Sequence, residues 1–118
     1  MKKFIGKQKY PILTLTVIAG ADLEGCRAVT RVGAYAAAGA SMHGVSATNA
    51  YTGDELAVDV MGTTICEAGG VIAADALLEV GTNGKFITRN TGKVVGRALE
   101  AAAGDGSAFE ALLLPAHT

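Results

Sequence analysis

Ala28-Val29-Thr30-Arg31-Val32-Gly33 returns further along the chain as Ala76-Leu77-Leu78-Glu79-Val80-Gly81, and how that echo is read decides the fold. The stretch GVSATNAYTGD at residues 44–54 returns one residue shorter as GRALEAAAGD at residues 96–105. The separations are 48, 52 and 51 residues (28 to 76, 44 to 96 and 53 to 104), so they drift only by loop-sized insertions. Self-similarity at this period marks a supersecondary unit that cannot bury its apolar face alone and packs against its own copy. The repeated positions are mostly glycine, alanine and aliphatics, none of a catalytic type. What recurs is a scaffold, and the expectation is a protein that acts by shape and contact.

Composition points the same way. With 118 residues the chain makes one domain. The 22 alanines and 16 glycines fill about a third of it, and there is no tryptophan, so burial yields little area per residue. Such a chain gains stability from a partner. Lys2, Lys3, Lys7 and Lys9 hold four of the ten basic residues, leaving six against eleven acidic ones, a basic arm on a mildly acidic body. An acidic body with few aromatics offers no phosphate-matching face, which argues against nucleic acid as a partner. No apolar segment approaches the roughly 20 residues that a membrane-spanning helix requires. Cys26 and Cys66 lack metal-ligand spacing and read as reduced, semi-buried thiols. Leu23-Glu24-Gly25-Cys26 loosely imitates a lipoprotein signal, but Asp22 and Glu24 oppose it, and the stretch falls inside the repeat.

Along the chain, residues 1–9 read as an extended arm and residues 10–118 as a single β domain. Tyr10-Pro11 leads into a strand over residues 12–18, with Leu13, Leu15 and Val17 on the core face. Further strands are expected over 26–32, 42–47, 56–60 and 63–67, with Leu56, Val58 and Val60 inward, Ala57 and Asp59 outward, and Met61-Gly62 ending one of them. Residues 34–40 are alanine-rich, but short and uncapped, and read as strand or loop. In the second copy, strands fall over 76–80, 85–88, 94–100 and 109–114. Asn83-Gly84 carries the signature of a type I′ hairpin, and Gly53-Asp54 and Gly104-Asp105 mark turns. About ten short strands at this spacing predict an all-β barrel or sandwich.

No arrangement of residues carries catalysis. His43 and His117 have no neighbour that would make a general base or a ligand pair, and the glycines form no nucleotide-binding loop. No metal or cofactor is expected. Phe4 and Ile5 stand out, because two apolar residues inside a lysine-rich arm suit a partner groove better than solvent.

Gln8, Leu13-Thr14-Leu15-Thr16 with Ala19-Gly20, Gly44-Val45, Gly53-Asp54-Glu55-Leu56-Ala57-Val58, and above all residues 94–102 (VVGRALEAA) with Leu112-Leu113-Leu114 resemble the small decoration, or cement, proteins of tailed-phage capsids. The resemblance runs from about residue 8 to 114. It implies a compact β-tulip domain, commonly trimeric, that sits on the outer capsid surface and stabilises the expanded shell by bridging capsomers. It also implies the major capsid protein as partner, synthesis in the host cytoplasm and no enzymatic activity. The longer lysine-rich beginning and an insertion-like stretch at residues 35–42 depart from the family pattern. An extended arm can add a strand to an open capsid sheet. Residues 2–17 are therefore the expected contact, with Lys2, Lys3, Lys7 and Lys9 as charges and Phe4, Ile5, Tyr10 and Ile12 as anchors.

A second reading is a biotinyl- or lipoyl-like carrier or ligand-binding module, also built from duplicated β units, with Lys85 after Asn83-Gly84 as the displayed lysine. A small hydrolase is more remote, since nothing pairs a nucleophile with a base.

Overall fold

The computed structural model describes residues 9–114, and every regular element in it except one short 3-10 turn is a β-strand. The strands are β1 (Pro11–Ile18), β2 (Ala28–Val29), β3 (Gly44–Ser46), β4 (Glu55–Glu67), β5 (Leu77–Val80), β6 (Phe86–Thr88), β7 (Gly96–Ala98) and β8 (Ala108–Leu113). They form one antiparallel sheet in the order β2-β3-β4-β8-β7-β5-β6, with β1 also paired to β4. The all-β expectation holds, but several strands are shorter than their apolar runs. Residues 26–32 supply only the two residues of β2, because Cys26 and Gly33 both take positive φ and curl the flanking chain.

The largest correction concerns β4. Met61-Gly62 does not end a strand; the strands expected over 56–60 and 63–67 are one thirteen-residue strand. Gly62 bends it at φ +96°, opposite a register shift between Pro11 and Leu13 of β1. A Cβ at Gly62 would collide with the Tyr10 carbonyl and lie 2.7 Å from Ile12 N, so no other residue fits without displacing β1. By contrast, the hairpin at Asn83-Gly84 forms as read: both residues take positive φ, 56° and 75°, between β5 and β6.

The duplication is real, and the backbone defines its register. Ala19 N–H donates to Asp54 O at 2.9 Å and Gly53 N–H to Ala19 O at 2.8 Å; Ala68 with Ser107 and Gly106 repeats both bonds at 2.8 Å. The reciprocal bridge Leu23–Ala50 returns as Ile72–Ala102. Cys26 N–H to Ser46 O, 2.7 Å, returns as Asp75 N–H to Ala98 O, 2.8 Å, and Cys26 and Asp75 share a left-handed φ of 66° and 69°. The offset is thus 49 residues at the start of each copy (19 to 68, 26 to 75) and 52 to 53 towards its end (46 to 98, 54 to 107). The sequence alignment slipped by one residue at Ala28, which matches Leu77, and by two at Gly53-Asp54, which match Gly106-Ser107. Gly44 and Gly96 are correctly paired and small for one reason: a Cβ at either would run into a carbonyl, of Asp59 or of Leu112.

β4 belongs to both copies. Its first half pairs with β1 as β8 pairs with its second half: Ile18 lies opposite Glu55, and Glu67 opposite Ala108. The cores follow the same rule. Val17, Ala19, Leu23, Val29, Ala50, Leu56 and Val58 form one buried cluster. At the matching positions of the other copy, Cys66, Ala68, Ile72, Leu78, Ala102, Phe109 and Ala111 are all buried too. The Cys66 thiol, wholly enclosed, is pushed well above its ordinary pKa by burial, so it behaves as an apolar residue.

Candidate contact surface

Of the predicted contact residues, Lys2, Lys3, Phe4, Ile5 and Lys7 lie outside the described residues; Lys9, Tyr10 and Ile12 lie within them. The structure gives Lys9 an intramolecular task. Its Nζ donates to Asp59 Oδ2 at 3.0 Å, and the Asp59 side chain is only 2% exposed. Thr14 Oγ1 donates to the other carboxylate oxygen at 3.0 Å and Thr64 Oγ1 to the first at 2.8 Å. Strict alternation along β4 had placed Asp59 outward. It is buried because three donors from β1, the arm's root and β4 itself converge on it, satisfying a charge that desolvation would otherwise penalise by several kcal/mol.

Beyond this clamp the chain is fastened to β4 and open outward. Tyr10 and Thr63 exchange backbone bonds at 3.1 and 3.2 Å, and Tyr10 N–H also lies 2.8 Å from Thr63 Oγ1. Tyr10 is 67% exposed and Ile12 is 78% exposed. Leu13 and Leu15 depart from their expected core assignment: both are exposed, and of that face only Val17 is buried. They border a shallow apolar cleft of about 230 Å³ with Met42, Val60, Met61 and Leu114. Among the described strands β1 pairs only with β4, so an eight-residue edge carries a row of apolar side chains and unpaired backbone groups. Edges of that kind are templates for another chain unless they are blocked, and Pro11 and the bulge restrict this one only near its start.

Two polar clusters brace the body. Arg27 of the first copy reaches Glu67 at 3.0 Å and Glu24 at 3.2 Å, while Lys85 of the second reaches Asp105 at 3.0 Å and Glu67 at 3.7 Å. Glu67 thereby joins the copies. Lys85, the residue a carrier would present for modification, is held by these two carboxylates instead of standing at a hairpin tip. The second cluster centres on Glu79, whose Oε1 accepts the N–H groups of Asn90 at 2.5 Å and Gly92 at 3.0 Å. Those donors hold its carboxyl below the usual carboxylate range. His43 borders the apolar cleft, and among the described residues no group of three or more His, Cys, Asp or Glu could hold a metal ion. No described helix is long and apolar enough to cross a membrane.

The described chain is an all-β scaffold, duplicated and braced by ion pairs, with an open apolar edge along β1. The chain belongs to the phage cement protein family, whose model matches residues 7–113. Its fold is similar to the head fiber gp8.5 N base of bacteriophage phi29, at 18% identity and a TM-score of 0.73, over 90% of this chain and 97% of that one. No curated protein matches the chain. Family membership gives it a capsid-associated structural role.

Proposed function

We propose that this protein is a cement protein of the outer phage head, binding the major capsid protein as a homotrimer and stabilising the expanded shell by bridging capsomers. The observation that carries this reading is the open, apolar edge of β1 continuing from the basic arm. An arm clamped at Lys9 by a buried carboxylate leaves the body in a set position. Lys2, Lys3, Phe4, Ile5 and Lys7 would then meet the capsid, with Tyr10 and Ile12 as the last contacts before the domain. Main-chain hydrogen bonds to a capsid strand would give affinity, and alternate side chains specificity. Many copies, each with a modest interface, supply the strength that one cannot. The protein is made in the host cytoplasm and acts without cofactor, catalysis or nucleic acid.

The test is decoration of expanded capsids that lack this protein. Deleting residues 1–8, which retains the Lys9 clamp, should abolish occupancy while the thermal unfolding of the isolated protein stays unchanged. Electron microscopy of the intact protein on such capsids should show trimeric knobs between hexamers. Undiminished occupancy by the truncated protein would overturn the arm's role, and failure of the intact protein to bind capsids would overturn the whole reading.

A further inference from the structure

The reciprocal bridges Leu23–Ala50 and Ile72–Ala102 occupy equivalent places in the two copies, yet their surroundings differ completely. Around the first lie Asp22, Glu24, Asn49 and Tyr51, bordering a cleft of about 480 Å³ that Tyr35 closes on one side. At the corresponding positions of the second copy stand Val71, Ala73, Ala101 and Gly104. The scaffold does not need these four side chains, since the same backbone bridge forms without them.

Their arrangement is that of a prepared site. Asn49 Oδ1 accepts the Gly25 N–H at 2.8 Å, which fixes the amide and leaves its NH2 group to donate outward. Asp22 Oδ1 accepts both Thr52 N–H at 2.9 Å and Thr52 Oγ1–H at 3.1 Å, which orients the carboxylate and leaves Oδ2 as an acceptor. Tyr35 Oη accepts the Glu24 N–H at 2.9 Å, and Arg27 lies over its ring at 5.4 Å, so that wall is immobilised from behind. Tyr51 is 75% exposed and offers a large planar face. The floor, Leu23 and Ala50, is apolar and buried.

We infer that this cleft binds carbohydrate, taking a neutral or amino hexopyranose with its apolar face on Tyr51 and its hydroxyls between the Asn49 amide and the Asp22 carboxylate. A pyranose needs a planar apolar wall, a donor and an acceptor at fixed separation, and a volume within the few hundred Å³ common to small-ligand sites. The Asp22 carboxylate at the rim selects against sugars that carry an acid, Glu24 being paired with Arg27 at 3.2 Å. The inference rests on the cleft alone and does not depend on capsid attachment.

The test is NMR titration of the full-length protein, without capsids, against methyl glucopyranoside, galactopyranoside, mannopyranoside, N-acetylglucosamine, glucosamine and sialic acid. One or more of the first five should shift the amides of residues 22–25 and 49–52 with a millimolar dissociation constant, and sialic acid should not. Y51A and D22N, both at exposed positions, should each weaken that binding about tenfold while the remaining spectrum is unchanged. Absence of localised shifts with all five sugars, or shifts that survive both substitutions, would overturn the inference. So would a stronger response to sialic acid than to any of them.

Discussion

The two copies share a backbone and disagree on almost everything their side chains do outside the core. Asp59 of the first corresponds to Leu112 of the second, and Arg27 to Ala76. Yet all seven residues of the smaller core cluster have a buried counterpart, and the bonds at Ala19 and Ala68 agree within 0.1 Å. The lesson is that hydrogen-bond register and the inward face hold this fold in place. Positions outside the two apolar clusters were free to diverge, and the first copy holds the charge clamp, the arm's root and the polar cleft.

The joint between the copies is where that comparison breaks most easily. G62A should destabilise the protein by about 3 kcal/mol in denaturant unfolding, since the new Cβ meets the Tyr10 carbonyl in a left-handed backbone conformation. A smaller effect is expected at the clamp. K9M leaves the Asp59 carboxylate with its two hydroxyl donors but no counter-charge, which should cost about 1 to 2 kcal/mol given that Lys9 is 38% exposed. The double variant K9M/D59L, which imports the leucine of the second copy, should recover at least part of that loss; a double variant weaker than K9M alone would show that Asp59 has a further task.

Glu79 sharpens the comparison by pH. Its carboxyl is held low in the folded protein, so its stabilising contribution is present above the unfolded carboxylate pKa and disappears as pH falls through the folded value. Unfolding followed from neutral pH down to about pH 3 should show a loss of stability in that window. E79Q, which keeps an acceptor but cannot titrate, should flatten it. The smallest change belongs to a left-handed residue: D75G should alter stability by less than about 1 kcal/mol, relief of backbone strain being offset by the freedom glycine has when unfolded and by loss of the exposed ion pair to Arg97. A loss well above that, measured by denaturant unfolding, would show that the Asp75 side chain does more than pair with Arg97.

Much of this fold was legible in the sequence because its signals are local. The Asn83-Gly84 turn and the Gly53-Asp54 turn each act within a few residues, and Asp54 Oδ2 does accept the Tyr51 N–H at 3.0 Å. The errors arose where a distant partner decides. Asp59 reads as outward until Lys9, fifty residues earlier, is brought against it. Gly62 reads as a terminator because nothing local shows that β1 and β8 meet on either side of it. Leu13 and Leu15 read as core because alternation cannot tell a buried apolar face from an exposed one. The alignment slipped among the alanines because residues so alike carry little register.

A strand held in common by two halves leaves no seam along which they could be divided. Severing the chain within β4 would strip the first half of its central strand and the second of its outermost one at a single stroke. A force taken up along β1 passes into that thirteen-residue strand through the ladder that joins them. The single strand makes one mechanical body out of two copies.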